Sequence, residues 1–140
     1  MKLNPDCIRA VMIEIENSLE IGISENDLPF MGIIGLHELS DALPEYSKED
    51  IFYTIFTLEQ AGYLSATIKD NISGEIVLCY VHHMTFAGHE FLDKIRDTQN
   101  WTKVKKGMNA IRNYSLDAIT ALAEGIANAA IAAALKEIGS

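Results

Sequence analysis

The stretch that most constrains this chain runs from Ser47 to Asp97. It reads SKEDIFYTIFTLEQAGYL, then SATIKDNISGEIVLCYVHH, then MTFAGHEFLDKIRD. Ser47 opens a capping-box-like start with Asp50 in place of the usual Glu, and Ile51, Ile55 and Leu58 repeat at helical spacing, broadened by Phe52 and Phe56. Gly62 is placed to end that helix. Tyr63 to Ile68 and Ile76 to Met84 are β-rich runs separated by Asp70, Asn71, Ser73 and Gly74, which are turn formers. Thr85 caps a further helix whose inner side is Ala87, Phe91, Leu92 and Ile95. Helix, hairpin, helix is therefore the expected order. Both faces of the second strand are mostly apolar, so it is expected to be well covered.

The flanking sequence completes the outline. Asn4 and Pro5 start a first helix over about residues 5–19, with Ile8, Val11, Met12, Ile15 and Leu19 on one stripe. The run 29–35 suits a small strand. Residues 36–43 form a short helix that Pro44 ends. Trp101, Val104, Met108 and Ile111 recur at three and four, giving a one-sided helix whose lysines fall on the other side. Ser115 caps a last helix over about 116–138, roughly 35 Å long at 1.5 Å per residue. The expected fold class is α+β. Residues 1–97 form a winged-helix-like domain of three helices and a β-hairpin wing, and residues 98–140 form a C-terminal helical extension.

Charge narrows the function. The 140 residues carry a formal charge of −9, which disfavours nonspecific attraction to nucleic acid or anionic membrane. Residues 1–93 hold 4 Lys/Arg against 16 Asp/Glu, whereas residues 94–112 hold 6 basic residues and one acid. Lys94, Lys103, Lys105, Lys106 and Arg112 could track a phosphate backbone or bind an anion. The plainer reading is a solvated face that neutralises the acidic body or a neighbouring subunit.

In a helix-turn-helix the third helix enters the major groove. Its outward residues would be Lys48, Glu49, Tyr53, Thr54, Thr57 and Gln60. Only one of these is basic, and it sits beside Glu49 and Asp50. Protein contact is the preferred use of the scaffold, and sequence-specific DNA binding is the alternative.

No catalytic motif of the GxSxG, HExxH, CxxC or P-loop type occurs, so no enzyme, catalytic residue or cofactor is expected. Cys79, His83 and His89 lack a fourth zinc ligand, and His82 and His83 should point to opposite strand faces. No metal site is therefore assigned. Cys7 and Cys79 read as buried free thiols in a reducing compartment, and the N-terminus lacks a signal-peptide layout. A cytoplasmic location follows as an expectation. Gly88 reads as the point where the helix after Thr85 packs closely on the hairpin.

The last helix has the most physical content. Gly125, Ala129 and Ala133 recur at four, and Ile126, Ile131, Leu135 and Ile138 add apolar area. Asp117, Glu124 and Asn128 argue against a membrane span. A helix this apolar all round is expected to self-associate, with a homodimer favoured.

Four blocks carry a resemblance: MKLNPDCIRA, YSKEDIFYTIFTLEQAGYL, MTFAGHEFLDKIRD and Trp101. In order and spacing the chain is similar, from residue 1 to about 120, to a family of small phage- and prophage-encoded proteins known as a domain of unknown function (DUF 2513). The alanine-rich stretch 123–138 departs from that pattern. The resemblance implies a winged-helix-like fold and a mobile-element origin, and it implies no reaction and no binding residues. The resulting expectation is a phage accessory protein acting on a protein partner, including a host or defence factor.

Overall fold

The computed structural model describes residues 1–139. In chain order the elements are α1 (Pro5–Ser18), β1 (Ile21–Ile23), β2 (Pro29–Met31), β3 (Ile34–Gly35), α2 (Leu36–Ala42), α3 (Lys48–Gln60), β4 (Leu64–Asp70), β5 (Ile76–Met84), α4 (Phe86–Ile95), α5 (Thr98–Ile111) and α6 (Leu116–Ile138). Two compact units divide at His89/Glu90, inside α4.

The first unit is built on its caps. The Cys7 amide donates to Asn4 Oδ1 at 3.3 Å, and Pro5 occupies the first turn, where its missing N–H costs nothing. Ser47 Oγ accepts from the Asp50 amide at 3.1 Å and starts α3. Gly62 ends α3 with φ +83°, a left-handed conformation that glycine adopts without strain.

These starts and stops set the inward faces. Ile8, Val11, Met12 and Ile15 of α1 are buried, as are Leu39 of α2 and Ile51, Ile55 and Leu58 of α3. The three helices pack on one another, α3 also packs on β4, and α1 on β5. Each fully buried aliphatic side chain contributes about 1.5–3 kcal/mol.

The strands form two antiparallel sheets. β1 pairs with β2 alone, and the other sheet runs β3-β5-β4. β1 has no counterpart in the sequence reading. It holds three residues, Ile21, Gly22 and Ile23, too few to show a period. The element order α1, β3, α2, α3, β4, β5 is consistent with a winged-helix-like arrangement.

β5 departs from expectation in two ways. Its distal residues Ile76, Val77, Leu78 and Tyr80 are exposed, so the strand is not well covered. An apolar run on both faces signals that two layers are possible, but nothing packs over this end. The second departure is a register shift between Ser65 and Ala66: Ser65 pairs with His83 but Ala66 with Val81, leaving His82 as an extra residue.

In the second unit Asp97 Oδ1 caps α5, accepting from the Asn100 amide, and Ser115 Oγ caps α6, accepting from the Ala118 amide. Trp101, Val104 and Met108 are buried on α5, and Ala118, Ile119 and Ala123 on α6. The two helices pack closely where Gly107 meets Leu122. Ile111, expected on the inner stripe, is exposed, because α5 ends there and Arg112 turns into the left-handed region at φ 54°.

Candidate functional site

The outward side of α3 is more aromatic than polar. Helical spacing places Glu49, Phe52, Tyr53, Phe56, Thr57 and Gln60 away from the Ile51–Leu58 stripe. Phe56 is 42% exposed. Its ring centroid lies 6.2 Å from that of Phe52, tilted by 36°. The two phenylalanines thus do not simply broaden the inner stripe, as the sequence suggested.

Thr54 moves the other way. It was expected on the outward face, yet it is 1% exposed. Its hydroxyl donates to the Asp50 carbonyl at 2.7 Å. Satisfying its hydroxyl within its own helix lets a threonine occupy an apolar face. The same side chain hydrogen-bonds Cys7. Burial pushes the Cys7 thiol up, the Thr54 bond opposes that, and the Asp50 and Glu45 carboxylates push it up further. Burial also raises the Cys79 thiol.

Lys48 is the sole cation of α3, and its ammonium donates to His37 Nδ1 of α2 at 2.8 Å. Tyr53 and Thr57 are half-buried and Gln60 is exposed. An exposed Phe56 beside a half-buried Phe52, first-turn acids and a lysine directed at a neighbouring ring suit a protein surface better than a phosphate backbone.

The cationic residues do not form one stripe. Lys103 and Lys106 share the exposed side of α5, three residues apart, while Lys105 is half-buried on its flank. Arg112 is exposed at the end of α5, and Lys94 is half-buried on α4. Arg96 is ion-paired to Asp93 at 2.8 Å.

The C-terminal half of α6 is bare. Ile126 is half-buried, but Ala129, Ile131, Ala133, Leu135 and Ile138 are exposed, Leu135 at 63% and Ile138 at 80%. By length and composition alone α6 could cross a membrane, with a mean hydropathy of 1.6 over its most apolar window. Asp117, Glu124, Lys136 and Glu137 interrupt the helix.

The histidines are arranged differently from the sequence reading. A cleft of about 310 Å³ is bordered by both His82 and His83, together with His89, Glu16 and Glu20 and the apolar Ile15, Leu19 and Met31. The bulge at His82 breaks the alternation that would have sent the two histidines to opposite sides. His82 Nε2 lies 2.6 Å from Thr67 Oγ1. Among the described residues no group of three or more His, Cys, Asp or Glu is arranged to hold a metal ion.

The described residues form a mixed α+β protein of six helices with small antiparallel sheets, and its most distinctive exposed features are apolar and aromatic. The chain belongs to the family described as "Hypothetical protein (DUF2513)", whose model matches residues 2–114. That span stops before α6. The chain is similar to an uncharacterized protein of Haemophilus influenzae, 28% identical over 127 residues, which is 90% of this chain and 95% of that protein.

Among solved structures it is similar to a proposed transcriptional regulator from Thermoplasma acidophilum, at 16% identity and a TM-score of 0.45, over 79% of this chain and 95% of the other. A Streptococcus mutans protein is similar at 16% identity and a TM-score of 0.44, over 79% and 91%. Likenesses this loose carry no functional argument.

Proposed function

We propose that this protein is a non-enzymatic phage or prophage accessory protein, cytoplasmic in location, whose winged-helix-like scaffold serves protein contacts. Its target is a protein partner, such as a host or defence factor. The observation that carries this reading is the outward side of α3, where Phe52, Tyr53 and Phe56 stand in place of the cations that a nucleic-acid surface needs. Aromatic side chains bury large areas at low entropic cost and dominate interface energies. Affinity capture from bacterial lysate with the wild type and with Phe56→Asp tests it. A protein retained by the wild type and lost by the variant supports the reading, and an identical captured set contradicts it.

Self-association through α6 belongs to the same reading. Ile131, Leu135 and Ile138 leave about two full side chains' worth of apolar surface uncovered per copy, or about 8 kcal/mol per dimer at ~2 kcal/mol each. Association costs about 4–15 kcal/mol in lost freedom, so this gain supports at most a weak, concentration-dependent homodimer. A membrane-bound α6 is the other outcome of the same test, and flotation with lipid vesicles would reveal it.

The second reading, a DNA-binding regulator, is favoured by the order α2, α3, hairpin and by the outward Tyr53, Thr57 and Gln60. A gel shift with random and self-promoter DNA at two salt concentrations tests it. A salt-dependent shift supports it, and none counts against it.

A further inference from the structure

β5 is longer than the strand that covers its outer edge. β3 pairs only Ile34 with Val81 and Gly35 with Tyr80, and the chain then leaves the sheet as α2. Among the described residues, the side of β5 opposite β4 has no strand beside it from Ile76 to Cys79. In an antiparallel ladder alternate residues direct their N–H and C=O groups to each side. The open edge therefore presents backbone donors and acceptors along about 13 Å, at ~3.3 Å per residue, with the alternation interrupted at Val77, where a second register shift pairs Lys69 with Leu78 but Asp70 with Ile76.

Edges of this kind are usually blunted by charge, proline or a covering element. The run Ile76-Val77-Leu78-Cys79 has neither charge nor proline, and its one irregularity is the bulge at Val77. A cleft of about 250 Å³ lies along it, bordered by Gly35, Leu36, His37 and Glu38 on one side and by Ile76, Val77, Cys79 and Tyr80 on the other. Val77 is 57% exposed.

We propose that this edge is a binding site for an extended segment of a partner protein, which adds as a strand to β5 where β3 leaves off. The occupant is specified by what the edge lacks. Unpaired backbone groups in a row are matched by another strand's backbone, and the exposed apolar side chains of β5 select apolar residues at alternate positions. The rim adds a charge preference. The Lys48 ammonium, held on His37 beside the cleft, favours an acidic residue at one end of the segment. Glu38 is already engaged, since its Oε1 accepts from the Gly35 amide at 3.3 Å. The site rests on the protein-contact reading but is distinct from the aromatic side of α3.

The test is selection of a random 12-residue peptide library displayed on phage against the full-length chain. The best enriched sequence is then synthesised and mapped by amide NMR. The expected result is peptides with alternating β-branched apolar residues, which shift the amides of residues 76–81 and slow their exchange. Val77→Asp, at an exposed position, is expected to weaken the peptide at least tenfold with an unchanged circular dichroism spectrum. Gln60→Ala on α3 is expected to leave it unchanged. No enrichment, shifts confined to another face, or full affinity in Val77→Asp would overturn the proposal. Peptides that map to α3 would overturn the edge site while upholding the protein-contact reading.

Discussion

Replacing Gly88 by alanine should destabilise the first unit, although alanine is the better helix former by about 1 kcal/mol. The reason is one close approach. A Cβ at Gly88 would land on the Tyr63 carbonyl oxygen, with Met84 Cγ at 2.7 Å and the Tyr63 carbonyl carbon at 3.0 Å. The oxygen belongs to backbone, so no side-chain rotation relieves the clash. The first turn of α4 would have to move away from the β4 end of the hairpin. Three bonds sit at that junction: Thr85 N to Tyr63 O at 3.1 Å, Thr85 Oγ1 to Gly62 O at 2.6 Å, and Gly88 N to Thr85 Oγ1 at 3.1 Å.

Overpacking of this kind costs about 1–3 kcal/mol, and a weakened hydrogen bond adds about 1. After the helix gain the net loss is about 1–3 kcal/mol. Gly107→Ala is the matched control. Its Cβ would meet Leu122 Cδ2 at 2.7 Å, the far end of a side chain that can turn. An off-rotamer cost of about 0.5–1.5 kcal/mol then roughly cancels the helix gain. In urea, read by circular dichroism, Gly88→Ala should lower the midpoint by about 1 M at a slope of ~2 kcal/mol/M, and Gly107→Ala should leave it nearly unmoved. Gly88→Ala at wild-type stability, or the reverse order of the two variants, would refute the reasoning.

Three further outcomes are expected. Burial raises the Cys7 and Cys79 thiols, so above about pH 8.5 the unfolded chain releases protons that the folded chain keeps. Stability under reducing conditions should therefore fall as pH rises through that range, and a Cys7→Ala/Cys79→Ala double variant should flatten the slope even if its baseline is lower. Thr54→Val should raise the Cys7 thiol further by removing the bond that lowers it, and slower thiol labelling of the folded protein at alkaline pH would show this. Ile55→Ala, at a fully buried position, should cost about 2–5 kcal/mol in chemical unfolding.

The helices were legible because their starts are written in single residues. Asn4-Pro5, Ser47 and Ser115 each supply a capping oxygen at the observed boundary. Gly62 and the Asn71–Gly74 turn were legible for the same local reason. Asn71 Oδ1 accepts from the Ser73 and Glu75 amides at 3.0 Å, and Gly74 has φ +83°. What failed was information carried by the rest of the chain. β1 depends on pairing with β2 across a loop, and three residues with a central glycine carry no pattern of their own. Thr54 reads as polar until its hydroxyl finds the Asp50 carbonyl. A one-residue bulge at His82 moves a side chain without changing composition.

The exposed surfaces were the least legible. An apolar residue looks the same in sequence whether or not a neighbour covers it. Phe56 was therefore assigned inward, and the distal end of β5 was expected to be covered. The α6 stripe reads in sequence as either packed back on the domain or paired with another copy, and Ala129, Ile131, Ala133, Leu135 and Ile138 are exposed in the single chain.

Self-association is tested most directly by light scattering of the full-length chain across a hundredfold concentration range, beside a chain truncated after Asn128, which keeps the part of α6 that packs on α5 and lacks the exposed Ile131, Leu135 and Ile138. The expected result is a mass that rises from the chain's 15.5 kDa toward twice that value for the full-length protein, and a truncated chain that stays monomeric throughout. A full-length chain that remains monomeric at every concentration, with the truncated chain behaving identically, would contradict it.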